Sequence, residues 1–437
     1  MDSEPDANGN PHSGAAPASV DRYDRFLLSY ARFATTVLDE IAAAVAADAA
    51  TPMLRCARAY LLLAAGKLEL LTAARAELTW LDHNELLTGW ERSHRDALRA
   101  WLAGNTLAAR AHWDQILSAC PRDFLALKMT QFGHFYAGAQ AAMRDAANTA
   151  IGHWPTDAPL HGYVLGMRAF GLEECGEYAV AEQVGRAAVT RNPDDVWARH
   201  AVAHCMEMRD RPQEGIAWLD DGLHVVSDSA LHNHLRWHRA LMQIAVGDAS
   251  AALADYDRGV YGRSVEYLDI CNDVALLARL ELAGLDVGNR WQDLVPRVVA
   301  RRNDQLMVFC DAHYVLAAAA AADETTLANL LAALGRHSAD GSSDGLVVRE
   351  VGLTLCQALA AGRAGHPLRA AELMCQVRGD LHRIGGSNAQ RDLFEQLLID
   401  AQMRARQKPA ALQLLRERLQ ARPDKAAARA ALAQLLD

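Results

Sequence analysis

The chain has 437 residues, of which 51% are hydrophobic and 22% are charged, and its formal net charge is −10. This acidic balance argues against a nucleic-acid backbone or an anionic membrane surface as the principal partner. The eight cysteines are scattered without a C-x-x-C pair, as is typical of reduced, buried thiols. These observations predict a cytoplasmic protein with no nucleic-acid partner and no membrane partner.

The N-terminal part of the chain lacks the repeat pattern found further on. The first twenty residues are rich in glycine, proline, serine and alanine, so we predict a disordered tail over residues 1–20. A single helical domain is predicted over residues 21–437. From Arg22 to Leu81 apolar residues recur three and four positions apart, which indicates helices of an atypical N-terminal cap. The longest apolar run, around Leu61 to Ala65, is too short to span a bilayer.

A repeated helix–turn–helix pattern follows this cap. Turn residues occur at Gly104, Gly138, Gly176, Asp210 and Gly247, which are separated by 34, 38, 34 and 37 residues. A tetratricopeptide unit has about 34 residues, with a glycine in the tight turn between its helix A and its helix B. The spacing therefore predicts an all-α fold, a tetratricopeptide-like helical-repeat superhelix, or α-solenoid.

Alanine and proline positions support this register. After the turn, a small residue lets the two helices approach, and a proline stops helix B before the next unit. These positions are Ala109 and Pro121 after Gly104, Ala181 and Pro193 after Gly176, and Ala411 and Pro423 behind Arg406 near the C-terminus.

The C-terminal half contains further local signals. Helices are predicted at about residues 268–282 and 309–323, and a polar surface loop at 337–345. Ser387 and Gln390 form an S-x-x-Q pattern, which predicts a helix that begins with a capping box.

Histidines cluster on two successive predicted A helices. His200 and His204 lie one turn apart with Glu207 on the same face, and His234 and His238 repeat this spacing on the next helix A. The A helices of a tetratricopeptide superhelix line its concave surface, so these imidazoles can converge in one groove. The candidate ligand-binding residues are His94, His200, His204, Glu207, His234, Trp237, His238, Asp311, His313 and Arg391.

The histidines allow three interpretations: a metal site, a ligand pocket without a metal, or histidines whose role is structural. An H-x-x-x-H pattern supplies only two ligands per helix, and a metal site needs three or four. Ala201, Val202 and Ala203 separate His200 from His204, so the H-E-x-x-H pattern of metalloproteases is not present. We therefore predict no bound metal and no cofactor.

Several longer motifs occur together in order along the chain. They are WERSHRDALRAWLAGN (90–105), AFGLEE (169–174), HAVAHCMEM (200–208), DVALLARLELAG (273–284) and GGSNAQRD (385–392). With these motifs the chain resembles the tetratricopeptide repeat protein 38 family over roughly residues 85 to 405. This resemblance implies an all-helical, mostly cytosolic protein of a family without an established general activity. The family usually has histidine where this chain has Asn388, and H-N-W-W-H where this chain has H-L-R-W-H.

Two functions from different classes remain open at this point. The first is a cytosolic binding module that captures a peptide segment or a small-molecule ligand in the histidine-rich groove. The alternative is an enzyme that uses His200, His204, His234 and His238 as general acid/base groups or ligands, with Glu207 beside them. The sequence does not identify the ligand or the oligomeric state.

Overall fold

A computed structural model describes residues 3–262, 264–305 and 307–421. Within these ranges the protein is an all-α helical-repeat structure. Its β structure is limited there to an antiparallel hairpin of β1 (Ser3–Pro5) and β2 (Pro11–Ser13), and to one isolated bridge between Ala34 and Ser229. Contacts divide the chain into two compact units.

The first unit comprises residues up to 201, together with residues 225–231 and 342–344. Besides a 3₁₀ turn at Leu68–Leu70, it contains the helices α1 (Pro17–Ala31), α2 (Val37–Ala47), α3 (Pro52–Ala64), α4 (Leu71–Asp82), α5 (Gly89–Leu102), α6 (Thr106–Ala119), α7 (Phe124–Tyr136), α8 (Gln140–Ile151), α9 (His161–Glu174) and α10 (Tyr178–Arg191).

Among the described residues, the second unit comprises 202–224, 232–341 and 345–421. The boundary falls inside α11 (Val196–Met208), and the later helices are α12 (Pro212–Gly222), α13 (His232–Ala245), α14 (Ala249–Asp255), α15 (Tyr267–Leu282), α16 (Arg290–Arg301), α17 (Val308–Ala320), α18 (Glu324–His337), α19 (Ser343–Val347), α20 (Leu353–Arg363), α21 (Pro367–Val377), α22 (Asn388–Arg404) and α23 (Lys408–Ala421). Two π-helical turns (Tyr256–Val260 and Val348–Gly352) and a 3₁₀ turn (Arg378–Ile384) complete the unit.

The predicted turns are confirmed by the backbone. Gly104, Gly138, Gly176 and Gly247 all have a positive φ, between 67° and 88°, two residues after the last residue of a helix. This left-handed conformation ends a helix and reverses the chain, and it favours glycine because a side chain is strained there. Asp210 adopts the same conformation with a φ of 54°. Aspartate is one of the few other residues that adopt this conformation readily, so the turn forms without glycine.

Turns of the same kind lie near both ends of the chain, and the one near the N-terminus was not predicted. Gly66 has a φ of 61° between α3 and α4, so the segment predicted as an atypical cap contains a turn of the same kind. Arg406 has a φ of 59° between α22 and α23, and Ala411 behind it is fully buried, as its register predicts. Pro423, the last position of that predicted repeat, lies outside the described residues.

The prediction of a disordered tail over residues 1–20 differs from the structure, which has the β1–β2 hairpin and the start of α1 there. The hairpin loop is closed by the Asp6 carboxylate, which accepts hydrogen bonds from the backbone N–H groups of Asn8 and Asn10, both at 2.9 Å. The His12 ring is fully buried between the rings of Tyr23 and Trp90, at 4.8 and 5.1 Å. The amino-acid composition of residues 1–20 could not predict these contacts.

The continuous helical stretch Ser343–Arg363 was not recognised in the sequence as a candidate membrane span. It has 21 residues and a mean hydropathy of 1.2 in its most apolar window, 44% of which is buried inside the protein. Length and composition alone would allow it to cross a membrane. A partly buried core helix meets the same criteria, so the stretch is weak support for a membrane location.

The eight cysteines are free thiols. Cys56, Cys205, Cys271, Cys310 and Cys356 are buried, as the sequence predicts. Cys375 is exposed, and the remaining two are partly buried.

Candidate functional site

Three histidines of the second unit meet between α11 and α13. His204 lies on α11, and His234 and His238 lie one turn apart on the same face of α13. The Nε2 atom of His238 is 3.0 Å from Nε2 of His204 and 3.3 Å from Nε2 of His234. The exposed fraction of these three residues is between 0% and 4%. We call this group the histidine cluster.

The other ring nitrogen of two of these histidines is held by a neighbouring side chain. The Nδ1 atom of His238 lies 3.0 Å from Oε2 of Glu207, one turn after His204 on α11. The Nδ1 atom of His234 lies 3.0 Å from Oδ1 of Asn272 on α15. A carboxylate and an amide oxygen only accept hydrogen bonds, so both Nδ1 atoms carry the proton and donate it. The Nε2 atoms of both neutral rings therefore present a lone pair.

Burial keeps these rings neutral. It lowers the pKa of His234 to about 4, against the hydrogen bond to Asn272. It also lowers the pKa of His238 well below its ordinary value, and His204, His234 and Arg279 lower it further. A protonated imidazole is therefore disfavoured at neutral pH, and the rings offer neutral nitrogens.

Arg279 is a positive charge close to the cluster that sequence reasoning missed. It lies on α15, is 5% exposed, and donates from Nη2 to the backbone oxygen of Ala389 at 2.9 Å. Its guanidinium carbon is 5.4 Å from the centre of the Trp237 ring. Burial lowers the pKa of Arg279, whereas the charges of Asp392 and Glu207 raise it. The guanidinium remains protonated and sets a positive potential beside His238.

Trp237 packs directly on the histidine cluster. Its ring is fully buried and stacks on the His234 ring at 5.3 Å with an angle of 11° between the planes, and it meets His238 edge-on at 4.7 Å. It therefore forms an apolar wall beside the histidine cluster.

Asp311 and His313 are buried on α17 but have other contacts. His313 donates from Nδ1 to the backbone oxygen of Phe309 at 2.7 Å, and its ring lies 4.4 Å from Phe309 and 5.5 Å from Phe394. Burial lowers the pKa of His313 to about 4. Burial, and then the charge of Asp304, raises the pKa of Asp311 to about 7.

Arg391 binds the loop before its own helix. Its guanidinium donates to the backbone oxygens of Gly385 and Gly386 and, at 2.9 Å, to Oδ1 of Asn388. The capping box predicted from Ser387 and Gln390 is present with both of its hydrogen bonds. These contacts join Arg391 to the loop at the start of α22.

His94 and His200 belong to the first unit. His94 is fully buried and its Nε2 lies 2.7 Å from Oδ2 of Asp123, while its Nδ1 lies 3.2 Å from the Tyr60 hydroxyl. His200 is 2% exposed, one turn before His204 on α11, and its ring lies against Phe170 and Trp197 at 5.5 and 5.1 Å.

A cleft of the second unit is lined by residues other than those of the histidine cluster. This open cleft has a volume of about 390 Å³ and an apolar floor that includes Leu316 and Met374. At its rim, Glu281 accepts hydrogen bonds from Arg363 at 2.6 Å and from the indole of Trp291 at 2.8 Å. Sequence reasoning did not find the cleft, because its lining comes from five helices and has no shared motif.

The helices, the left-handed turns and the packing of neighbouring helices establish the class of the protein. The chain is an all-α helical-repeat protein. No family model matches it. A crystal structure of the P58(IPK) TPR domain matches over 80% of this chain and 98% of that chain, with 14% sequence identity and a TM-score of 0.23. At that TM-score the comparison adds nothing to the assignment, which rests on the helices and turns.

Proposed function

We propose that this helical-repeat protein is a binding module that holds a small ligand at the histidine cluster, with Glu207 and Asn272 as supporting residues. The observation that carries the proposal is the convergence of the Nε2 atoms within 3.0 to 3.3 Å while Nδ1 of His234 and His238 is engaged behind them. Three imidazoles that approach one another this closely offer several nitrogen atoms to one small group, which favours a bound ligand.

Burial favours a small ligand over a peptide at this position. His204 and His238 are fully buried, and the side chain of Glu207 is 13% exposed. A peptide backbone needs a groove in which it can place alternating side chains, and buried rings offer none. The open cleft at Glu281 is the accessible place for a peptide segment, and it is separate from the histidine cluster.

The enzyme alternative is favoured by one observation, the pair formed by His238 and Glu207. A carboxylate that orients a histidine is the arrangement of a general base. Against this, the pKa of His238 is lowered well below its ordinary value, chiefly by burial, which makes the ring a weak base at neutral pH. Binding is therefore the better-supported function.

Membership in the tetratricopeptide repeat protein 38 family and a cytoplasmic location belong to the same proposal. The ordered motifs support the first, and several of them coincide with the site: the motif at 200–208 contains His204 and Glu207, and the motif at 273–284 contains Arg279. The acidic composition and the free thiols support the second.

Native mass spectrometry of the purified, untagged protein tests the binding proposal. We expect wild type to carry mass beyond the polypeptide, and His238→Gln to lose it. His224→Gln is the matched control, because His224 is exposed and lies in the same unit. Glutamine is preferred to alanine, since emptying a buried site lowers stability whatever the role of the ring. A wild-type protein isolated from its own cytosol with the bare polypeptide mass would refute the proposal.

A further inference from the structure

We infer that the histidine cluster is a binding site for a divalent transition-metal ion of the zinc class, coordinated by Nε2 of His204, His234 and His238. This inference rests on the proposed function and names its ligand. It replaces the expectation from sequence that no metal is bound.

The distances between the nitrogens fit a shared ion. Zinc–nitrogen bonds are about 2.0–2.1 Å long, so two ligand nitrogens lie about 3.3 Å apart at a tetrahedral angle and about 2.9 Å apart at a right angle. The observed separations are 3.3 Å between His234 and His238 and 3.0 Å between His204 and His238. The three residues each offer a nitrogen within 4.8 Å of the others.

The side of each ring that faces the cluster is in the form that binds a metal. Because Nδ1 of both His234 and His238 is the donor to its oxygen partner, the Nε2 atom of each ring presents a lone pair. A neutral histidine coordinates a metal ion through such a lone pair. A single ion can therefore be held by the neighbouring nitrogens of the cluster.

The supporting residues match those of built metal sites. A metal-binding histidine commonly donates its other N–H to a carboxylate or an amide oxygen, which fixes the tautomer and the direction of the ring. Glu207 does this for His238 and Asn272 does it for His234. Each supporting residue lies on a different helix from the ring that it contacts.

The donor set selects the class of metal. Three neutral imidazoles suit zinc, cobalt, nickel and copper, whereas magnesium and calcium prefer oxygen ligands. The charge of Arg279 opposes a nearby cation, and the carboxylates of Glu207 and Asp392, which interact with Arg279, reduce that opposition. We assign no protein residue to the fourth coordination position.

Metal titration of the purified protein tests the inference. The untagged protein is treated with a chelator, exchanged into metal-free buffer at pH 7.5, and titrated with Co²⁺ and then with Zn²⁺. We expect one equivalent of Co²⁺ to give the visible absorption of a tetrahedral or five-coordinate nitrogen site, and Zn²⁺ to displace it. Elemental analysis of the untreated protein should find close to one equivalent of a metal of this class.

Three variants make the test specific. His204→Gln should weaken Co²⁺ binding at least about 100-fold, and Glu207→Gln should weaken it about 10- to 100-fold because it removes only a supporting residue. His224→Gln should bind as wild type does. Circular dichroism shows whether each variant is folded. If His204→Gln does not fold, Glu207→Gln still tests the inference.

Two results would overturn the inference. The first is a folded wild type that binds neither Co²⁺ nor Zn²⁺ with a Kd below about 10 μM; the second is binding that His204→Gln and Glu207→Gln leave unchanged. An organic mass that survives the chelator and disappears in His238→Gln would reject the metal while supporting the proposed function. A bare polypeptide mass combined with no metal binding would reject both.

Discussion

Lys128 provides a test of the buried electrostatics of the first unit. It is 1% exposed on α7, and its ammonium lies 3.7 Å from the centre of the Phe33 ring, with Trp197 further away at 5.9 Å. Burial lowers the pKa of Lys128 to about 7, and the charge of Asp195 opposes this shift. The rings also attract the ammonium, so cation–π attraction acts against the fall in pKa.

The sign of the effect on stability follows from the two pKa values of Lys128. Between about pH 7 and pH 10.5 the unfolded chain binds the proton and the folded chain does not, so stability rises with pH through this window. From pH 7 to pH 9 the contribution of Lys128 to the free energy of unfolding rises by about 2 kcal/mol. Lys128→Met removes this titration while keeping a long apolar side chain. Wild type should therefore gain about 2 kcal/mol relative to the variant over that interval.

Asp195 increases the expected difference in stability between wild type and Lys128→Met. Its pKa is raised to about 7, chiefly by burial, and the positive charge of Lys128 lowers it. Without Lys128 the folded state of the variant holds the Asp195 proton to a higher pH, so the variant loses stability as the pH rises. From pH 7 to pH 9 the free energy of unfolding of wild type should therefore rise relative to that of the variant by at least about 2 kcal/mol.

Urea unfolding followed by fluorescence and circular dichroism at pH 7 and pH 9 measures this difference. Lys408→Met is the control, because Lys408 is exposed on α23 and should give no comparable pH-dependent difference. If wild type and Lys128→Met keep a constant difference to within about 0.5 kcal/mol, Lys128 does not titrate in this window and the argument from burial fails.

Three further predictions concern single contacts. Asp311→Asn should raise stability at pH 8 by about 2–4 kcal/mol and have little effect at pH 4, because the pKa of the buried carboxyl is raised to about 7; urea unfolding at both pH values measures this. Ser387→Ala should cost about 1 kcal/mol by removing the capping box, seen as a lower urea midpoint with an unchanged slope. Gly171→Ala should cost about 1–3 kcal/mol, because its Cβ would lie 2.8 Å from Cα of Arg144, whereas Gly335→Ala has open space and should stabilise α18 by about 0.5–1 kcal/mol in thermal melts. Equal effects of the two glycine substitutions would contradict the close approach of α8 and α9.

The turns were predictable because they depend on local chemistry. A left-handed residue after a helix favours glycine at every repeat, so Gly104, Gly138 and Gly176 could be read from the sequence alone. The capping box at Ser387 was predictable for the same reason, since its partner is three residues away. The N-terminal hairpin was missed because His12 is held by residues far along the chain.

The candidate site was only partly predictable, because it depends on the register between repeats. His204 and His238 are 34 residues apart, and His234 and Asn272 are 38 apart, so each pair occupies matching positions in successive repeats. That spacing could have indicated Asn272. Arg279 gave no such signal, because its partner Ala389 lies 110 residues away. Of the two residues that support the rings, sequence reasoning therefore found Glu207 and missed Asn272.

The hydrogen bond from Arg279 to Ala389 limits how the second unit can change during evolution. Proteins built from stacked repeats commonly gain or lose whole units, because each repeat contacts only its neighbours. In this protein a guanidinium beside the histidine cluster depends on a carbonyl oxygen at the start of α22, so removing or duplicating a unit between residues 279 and 389 would separate the two groups. We expect homologues to vary in loop length within this segment while keeping its number of helices.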